Sequence, residues 1–503
     1  MNDGGVSSER LSRSLRQIDW RFLTANPTPR RVLASAPGAV VEALSHVAQE
    51  VVSDPTVGRS YDLVVLRHAS PREIDEAWQA LTPGGHLALL DESRRLGGGH
   101  ARILRARGFD RVSAVWRWPR AQDASASFWL PAKEAWSLRY LARRPSRTSS
   151  VKRSAGAAFL RIAAVTGTLP PAVLLAWKQG PPPPASADLL QALPVATPLD
   201  AVLLTGGSHA SNKVVAIVAP GQDRWPRLAV KFARVPSSIP DLKREHRVLR
   251  RIDALARPSS VTLPRPRFAV PVGASFAVGT SVVDASGFAL RDNARAGQSL
   301  AERVAAWLET LVDSASTPGD VWWVRLVDEP LRKFGEVSTG LIDPRVRDAV
   351  ETALPALRDL PLAVEHRDCS PWNVLVGGDG RLAVLDWESA DEQGLPARDL
   401  TYFLLYWAWF TTDPGQERDV VEALRAVRDE STRVGALAVR LERRYCEAAG
   451  LNPPQLMALR LLTWTHHAVS EHRRIAMDAE DGSGPPRTGL FLRLLAEEVR
   501  LQR

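Results

Sequence analysis

Apolar residues along this 503-residue chain fall into two rhythms. One consists of short runs that alternate with polar residues or are apolar throughout, and the other of longer stretches spaced for one face of a helix. The first rhythm marks strands at Tyr61-Asp-Leu-Val-Val-Leu66, at 112–118, and after the turn of Thr82-Pro-Gly-Gly-His-Leu-Ala-Leu-Leu90. Helical spacing over 74–81 and 101–109 lies between them, so strand, helix, turn and strand follow in α/β order. Farther on, 202–218 reads as two strands around a glycine-containing turn, 226–235 as a strand, 241–252 as a helix and 276–284 as a strand. A helix over 300–312 precedes a hairpin, in which 374–376 and 382–385 flank Gly377-Gly-Asp-Gly380. The segments 401–410, 420–427, 434–449, 454–469 and 489–501 all carry helical spacing, so the chain ends in helices.

Polar residues interrupt this pattern most informatively at His366-Arg-Asp-Cys-Ser-Pro-Trp-Asn373 and at Leu385-Asp-Trp-Glu388. Phosphoryl transfer asks a protein for a carboxylate at the incoming hydroxyl and for oxygen ligands to magnesium on the nucleotide phosphates. Asp368 fits the first role, and Asn373 and Asp386 fit the second. The Asp-x4-Asn spacing keeps two of them on one loop, and the hairpin delivers Asp386 beside it. Upstream, Lys231 sits in the apolar run 226–235 and Glu245 on the helix that follows. Paired, they would aim the ammonium at the α- and β-phosphates of a nucleotide. Gly206, Gly207 and Ser208 form a turn whose backbone N–H groups could approach phosphate oxygens. Each feature alone has a bland reading, since loop aspartates cap turns and Gly-Gly is an ordinary hairpin turn. Their order and spacing are what point to phosphoryl transfer.

These motifs resemble the aminoglycoside phosphotransferase and choline kinase family, whose loop reads His-x-Asp-x4-Asn and whose metal strand ends in Asp-Trp or a close variant. Gly394-Leu-Pro-Ala-Arg-Asp399-Leu400 fits the Gly-x4-Asp-Leu segment that follows in that family. Ser370 and Asp386-Trp-Glu stand where a serine/threonine protein kinase would carry Lys and Asp-Phe-Gly, so the resemblance is to kinases of small molecules. It implies a bilobal protein-kinase-like fold, ATP or another nucleoside triphosphate with Mg2+, and an acceptor hydroxyl on an aminoglycoside, amino alcohol or sugar. It also implies that Asp368 is the catalytic residue, while His366 and Asp399 hold the loop. The terminal helices would build the acceptor pocket, with Trp407, Trp409, Trp464, His466, Asp413, Glu417 and Glu471 as equal candidates to line it.

The kinase pattern begins only near residue 195, which leaves room for another domain. Residues 25–150 resemble the second half of a class I S-adenosylmethionine-dependent methyltransferase, in Leu81-Thr-Pro-Gly-Gly85 before a central strand and Gly108-Phe109 before the last strands. That family binds its cofactor at a glycine-rich turn after the first strand, with an acid after the second. Arg31-Val-Leu-Ala-Ser-Ala-Pro-Gly38 keeps one glycine and no acid in the turn. About thirty residues separate Leu33 from Leu63, roughly what one βαβ unit consumes. The reading is a truncated Rossmann-like domain that serves as a scaffold or docks a protein partner, with S-adenosylmethionine not expected. The fold class is therefore α/β plus α+β: a degenerate methyltransferase-like domain, then a kinase-like domain with an N-lobe over 195–290 and a helical C-lobe over 291–503.

Residues 151–194 read as a connector, apolar over 155–177 and then extended through Pro181-Pro-Pro-Pro184. Arg161 and Pro170-Pro171 break the apolar stretch short of a spanning helix. Packing on a neighbouring domain is preferred to peripheral membrane contact through Lys152, Arg153 and Arg161. Residues 1–24 read as a polar segment without the apolar core of a signal peptide, so a cytoplasmic location is expected. Cys369 and Cys446 give no disulfide framework, and Cys369 in the catalytic loop is expected to be open to oxidation. No zinc pattern is present, and His466-His467 reads as a packed or exposed pair. The net charge is +9, but residues 331–503 carry more Asp and Glu than Lys and Arg, which suits a cationic acceptor. The positive surplus lies in residues 1–330 without a recognised nucleic-acid module, so no nucleic acid is expected. Two rival readings are a non-catalytic pseudokinase scaffold, against which the complete loop chemistry argues, and a methyltransferase regulated by its kinase-like half.

Overall fold

The computed structural model describes residues 8–24, 26–90, 99–119, 126–131, 134–143, 150–166, 171–181, 187–193, 201–206, 212–219, 226–254, 261–287, 294–313, 321–377, 379–411, 419–479 and 489–502. The chain divides into two compact units, residues 1–246 with 264–282 and residues 247–263 with 283–503. The helix Ile239–Ala254 is shared between the units.

The first unit is built on one twelve-stranded sheet. In chain order its strands are β1 (Arg31–Ser35), β2 (Glu50–Val52), β3 (Tyr61–Arg67), β4 (Leu81–Leu90), β5 (Phe109–Trp118), β6 (Ala126–Leu130), β7 (Val173–Lys178), β8 (Ala201–Gly206), β9 (Val214–Val218) and β10 (Leu228–Phe232). After β11 (Val261–Thr262), which belongs to the second unit, β12 (Pro266–Val272) and β13 (Ser275–Ser281) complete it. Across the sheet the order is β12-β13-β10-β9-β8-β6-β5-β7-β4-β3-β1-β2. β2, β1, β3 and β4 are parallel, with the helices Gly38–Ser45 and Pro71–Ala80 in the crossovers. From β6 to β12 every neighbour is antiparallel. The helix Pro71–Ala80 starts where Pro71 follows a reciprocal cap, in which Ser70 Oγ accepts from Glu73 N and Ser70 N donates to the Glu73 carboxylate.

Two stretches behave otherwise than their composition suggests. Residues 173–178, expected inside the connector, form β7, which pairs antiparallel with both β4 and β5. A strand flanked on both sides is apolar throughout, so Val173-Leu-Leu-Ala-Trp carries no alternation to distinguish it from a buried helix. Among the described residues no helix is long and apolar enough to cross a membrane. Residues 1–24, expected to be a polar segment, end in a short 3-10 turn, Asp19–Leu23, whose surroundings are core. Leu15, Ile18, Trp20, Phe22 and Leu23 are at most 1% exposed and share a cluster with Leu203, Val230 and Phe232 of the sheet. Phe22 and Phe232 meet with ring centroids 5.2 Å apart. Interleaved Arg and Asp residues make the segment look polar, while tertiary packing buries most of residues 11–24.

The second unit is mainly helical. Helices Ala294–Glu309, Glu329–Ser338, Pro344–Ala353, Arg398–Thr411, Val420–Arg428, Arg433–Ala449, Pro453–Ala479 and Leu490–Leu501 enclose a core that includes Leu300, Val304, Phe403, Leu441 and Leu462. The first of these, expected to run to 312, ends at Glu309. Two small sheets stand among the helices. β14 (Ala285–Gly287), β17 (Val374–Gly377) and β18 (Leu382–Val384) join β11 in the order β11-β18-β17-β14. β15 (Val312–Asp313), β16 (Leu362–Glu365) and β19 (Asp391–Gly394) form the other, in the order β15-β16-β19. The loop with the candidate chemistry runs from β16 to β17.

Candidate active site

β16 is buried at all four positions, so residue 366 leaves the core at a fixed point. The backbone N–H groups of His366 and Arg367 both donate to the Asp399 carboxylate, at 2.5 and 2.8 Å. Asp399 lies in the first turn of the helix Arg398–Thr411, where the helix dipole favours a negative charge. On its other side the loop is held by the hairpin's continuation. His366 Nε2 lies 2.8 Å from the Leu385 carbonyl, and the imidazole packs edge-on against Trp387 at 4.6 Å. Trp387 is fully buried and donates through its indole N–H to the Val384 carbonyl at 3.2 Å. His366 is thus an anchor of the loop.

Asp368, Asn373 and Asp386 come together around this frame. Asn373 Nδ2 donates to the Asp368 carbonyl and to Asp368 Oδ2, both at 2.9 Å. The Asn373 carbonyl accepts from Leu385 N at 2.9 Å, which continues the β17–β18 ladder and sets Asp386 next in line. The Asn373 amide nitrogen is committed to Asp368, so its Oδ1 is the atom that can ligate a cation. Arg367 and Asp386 both hold left-handed backbone, with φ of 67° and 66°. Such conformations in non-glycine residues cost about 1–3 kcal/mol and cluster at functional sites. Mg2+ takes one or two protein oxygen ligands and completes its shell with phosphates and water, which suits Asp386 and Asn373. Among the described residues no group of three or more His, Cys, Asp or Glu could enclose a metal.

The electrostatics beneath the loop are those of a buried network. Glu365 meets Arg398 Nη1 at 3.0 Å and accepts from Leu395 N at 3.2 Å. Burial and the nearby Glu365 carboxylate raise Asp399 to about 7, against the two N–H bonds that lower it. Cys369 departs from expectation. It is fully buried, and burial with the Asp399 and Asp368 charges pushes its thiol well up, so the reactive thiolate is suppressed.

In the first unit, Lys231 on β10 meets Glu245 on the helix Ile239–Ala254 at 2.8 Å. Glu245 is nearly fully buried and Lys231 partly exposed, so the carboxylate fixes the ammonium from the buried side. Gly206 closes β8; Gly207 and Ser208 lie outside the described residues.

Most of the pocket candidates prove to have structural partners. The Trp407 and Trp464 indoles donate to the Gly297 carbonyl at 2.9 Å and to Glu498 at 3.0 Å. His466 Nε2 lies 2.8 Å from the Leu326 carbonyl, and burial drives its pKa well down. His467 stacks on Tyr402 at 4.3 Å. Glu471 accepts from Leu490 N and Phe491 N, both at 3.0 Å, and so serves the start of the last helix. Asp413 and Glu417 lie outside the described residues. Trp409 is half-buried beside Tyr406 and Phe410. One residue escaped the sequence reading: Trp372, which precedes Asn373, is 40% exposed and stands edge-on to Tyr406 at 4.9 Å. A large aromatic between the loop's Asp and Asn was the available signal. The 31–60 stretch, expected to be shortened, does accommodate a second strand, β2, parallel to β1.

Residues 203–448 match the model of the phosphotransferase enzyme family. No curated protein sequence matches the chain. Among solved structures it is similar to an aminoglycoside-3'-phosphotransferase of type VIII, with 20% identity over 51% of this chain and 89% of that one, at a TM-score of 0.35. The macrolide 2'-phosphotransferase MphH from Brachybacterium faecium gives 17% identity, 55% and 91% coverage, and a TM-score of 0.34. Choline kinase LicA from Streptococcus pneumoniae gives 15%, 57% and 90%, and 0.37.

Proposed function

With residues 203–448 carrying a phosphotransferase enzyme family domain, we propose that the protein transfers the γ-phosphoryl group of ATP or another nucleoside triphosphate to a hydroxyl of a small molecule. The observation that carries this reading is the Asp368–Asn373 pair, bonded twice at 2.9 Å on a loop clamped by Asp399 and His366. Asp368 orients the acceptor hydroxyl and receives its proton as the new bond forms. Asn373 fixes the rotation of that carboxylate, so the acceptor meets a single orientation of the base. Lys231, steadied by Glu245, neutralises phosphate oxygens, and Gly206, Gly207 and Ser208 are read as further phosphate-binding residues. Asn373 and Asp386 would hold Mg2+, which when bound draws charge from the phosphate oxygens. The acceptor belongs to the aminoglycoside, amino alcohol or sugar class, and the reaction is assigned to the cytoplasm, where nucleoside triphosphates are supplied.

The N-terminal part is read as a non-catalytic methyltransferase-like scaffold with a docking role toward a protein partner. Its parallel β2-β1-β3-β4 arrangement supports the Rossmann-like reading. The single glycine after β1 supports the absence of S-adenosylmethionine chemistry.

Calorimetric titration with a non-hydrolysable ATP analogue, with and without magnesium and alongside S-adenosylmethionine, tests both parts. Magnesium-dependent nucleotide binding without heat from S-adenosylmethionine is expected, and Asp368→Asn should keep that binding while phosphotransfer falls. No nucleotide binding would turn the assignment to a scaffold. Heat from S-adenosylmethionine would turn it to a methyltransferase.

A further inference from the structure

The sheet face that carries Val230 and Phe232 is apolar over most of its area, but one part of it concentrates positive charge. Arg117 of β5, Arg234 just past β10, and Arg16 and Arg21 of the N-terminal segment are each at most 7% exposed. The carboxylate among them is Asp19, 0% exposed. Arg234 grips Asp19 through Nε at 3.2 Å and Nη2 at 2.9 Å. Arg21 Nη1 lies 3.6 Å from the same carboxylate, and its Nη2 donates to the Arg234 carbonyl at 3.2 Å. Arg117 lies within electrostatic reach of both Asp19 and Arg16. Even Arg21, which burial lowers to about 10, stays charged at neutral pH. Among the described residues the guanidinium groups of Arg21, Arg117 and Arg234 therefore share one carboxylate, Asp19, and buried charge left uncompensated is strongly destabilising.

The hydrogen bonds point the same way. Arg117 Nη2, Arg234 Nη1 and the indole N–H groups of Trp20 and Trp129 are buried without a hydrogen-bond partner. Arg117 lies over the Trp129 ring at 5.6 Å, and its Nε donates to Ser127 Oγ at 3.4 Å. The surplus consists of donors, several of them cationic, and buried donors in native proteins are satisfied almost without exception.

We infer that this cluster is a binding site for a phosphate-class oxyanion, whose charge offsets the arginine surplus and whose oxygens accept from Arg117 and Arg234. Donors arriving from two elements, β5 and the end of β10, fit an anion with oxygens on several sides. A phosphate has these and a planar carboxylate lacks them. The site is separate from the Lys231–Glu245 pair. Alternation along β10 puts Lys231 on the opposite face from Val230 and Phe232, and the Ala233 N bond to the Phe276 carbonyl carries the alternation on to Arg234.

Equilibrium dialysis of the full chain against inorganic phosphate tests this, with magnesium and a saturating non-hydrolysable ATP analogue present throughout. Saturable binding is expected, abolished in Arg117→Met and weakened about tenfold in Arg117→Lys, which keeps the charge but not the fork. Circular dichroism checks that each variant is folded, and the lysine variant decides if the methionine one is not. Tighter competition by glycerol phosphate would identify the source as a phosphorylated metabolite, and weaker competition as free phosphate. No saturable binding, or binding unchanged in Arg117→Lys, overturns the site.

Discussion

Asp399 accepts the backbone N–H of Arg367 at 2.8 Å, and Arg367, like Asp386, is held in left-handed backbone. The bond fixes a conformation that the chain would not otherwise keep. Burial and Glu365 raise Asp399 from 3.8 to about 7, so between those values the folded state holds a proton that the unfolded state has lost. Its contribution to stability is therefore complete below pH about 4 and disappears as pH rises through about 7. Melting temperatures from pH 4 to 8 should show the native chain losing ground to Asp399→Asn across that window and running parallel above it. A constant difference would contradict the assignment.

Removing Glu245's charge should loosen Lys231. A hydrogen bond to a charged group is worth about 1.5–3 kcal/mol, so Glu245→Gln should lower kcat/KM for the nucleotide by about tenfold or more. Steady-state kinetics at varied nucleotide concentration reads this, and an unchanged value would leave the ion pair of Lys231 and Glu245 without a part in nucleotide binding.

Trp387 supports His366 from full burial. Trp387→Ala should destabilise the protein by about 3–5 kcal/mol. Because the imidazole loses the ring it packs against, turnover should fall as well at temperatures where the variant stays folded. Urea unfolding with a parallel phosphotransfer assay separates the two effects.

The N-terminal segment should be indispensable. Phe22→Ala, which breaks the contact with Phe232, should cost about 3–5 kcal/mol. A chain beginning at residue 195 would expose the sheet face that residues 15–23 cover, and is expected to aggregate and to lose nucleotide binding. Recovery of a well-folded, nucleotide-binding 195–503 fragment by size-exclusion chromatography and titration would refute this.

The β17–β18 hairpin, the Asp-x4-Asn loop and the Lys231–Glu245 pair could be read from residue order because each depends on near neighbours or on a short ladder. The roles of Trp407, Trp464 and Glu471 could not, because their partners Gly297, Glu498 and Leu490 are set by helix packing. β7 escaped because a strand buried on both faces has no polar beat. Burial of Arg21 and Arg234 escaped for a related reason: arginine is ordinarily a surface residue, and only the fold brings these two to Asp19.

Along its length β5 serves two neighbours, pairing with β7 through Phe109–Val115 and with β6 through Trp116–Trp118. β6 in turn pairs with β8 through Ala126–Trp129, so recombination that imported a foreign amino-terminal half would have to reproduce that ladder. Otherwise it would leave β8 as a raw edge, open to addition of a strand from another molecule. Chimeras should therefore tolerate exchange of surface loops but not of a whole half.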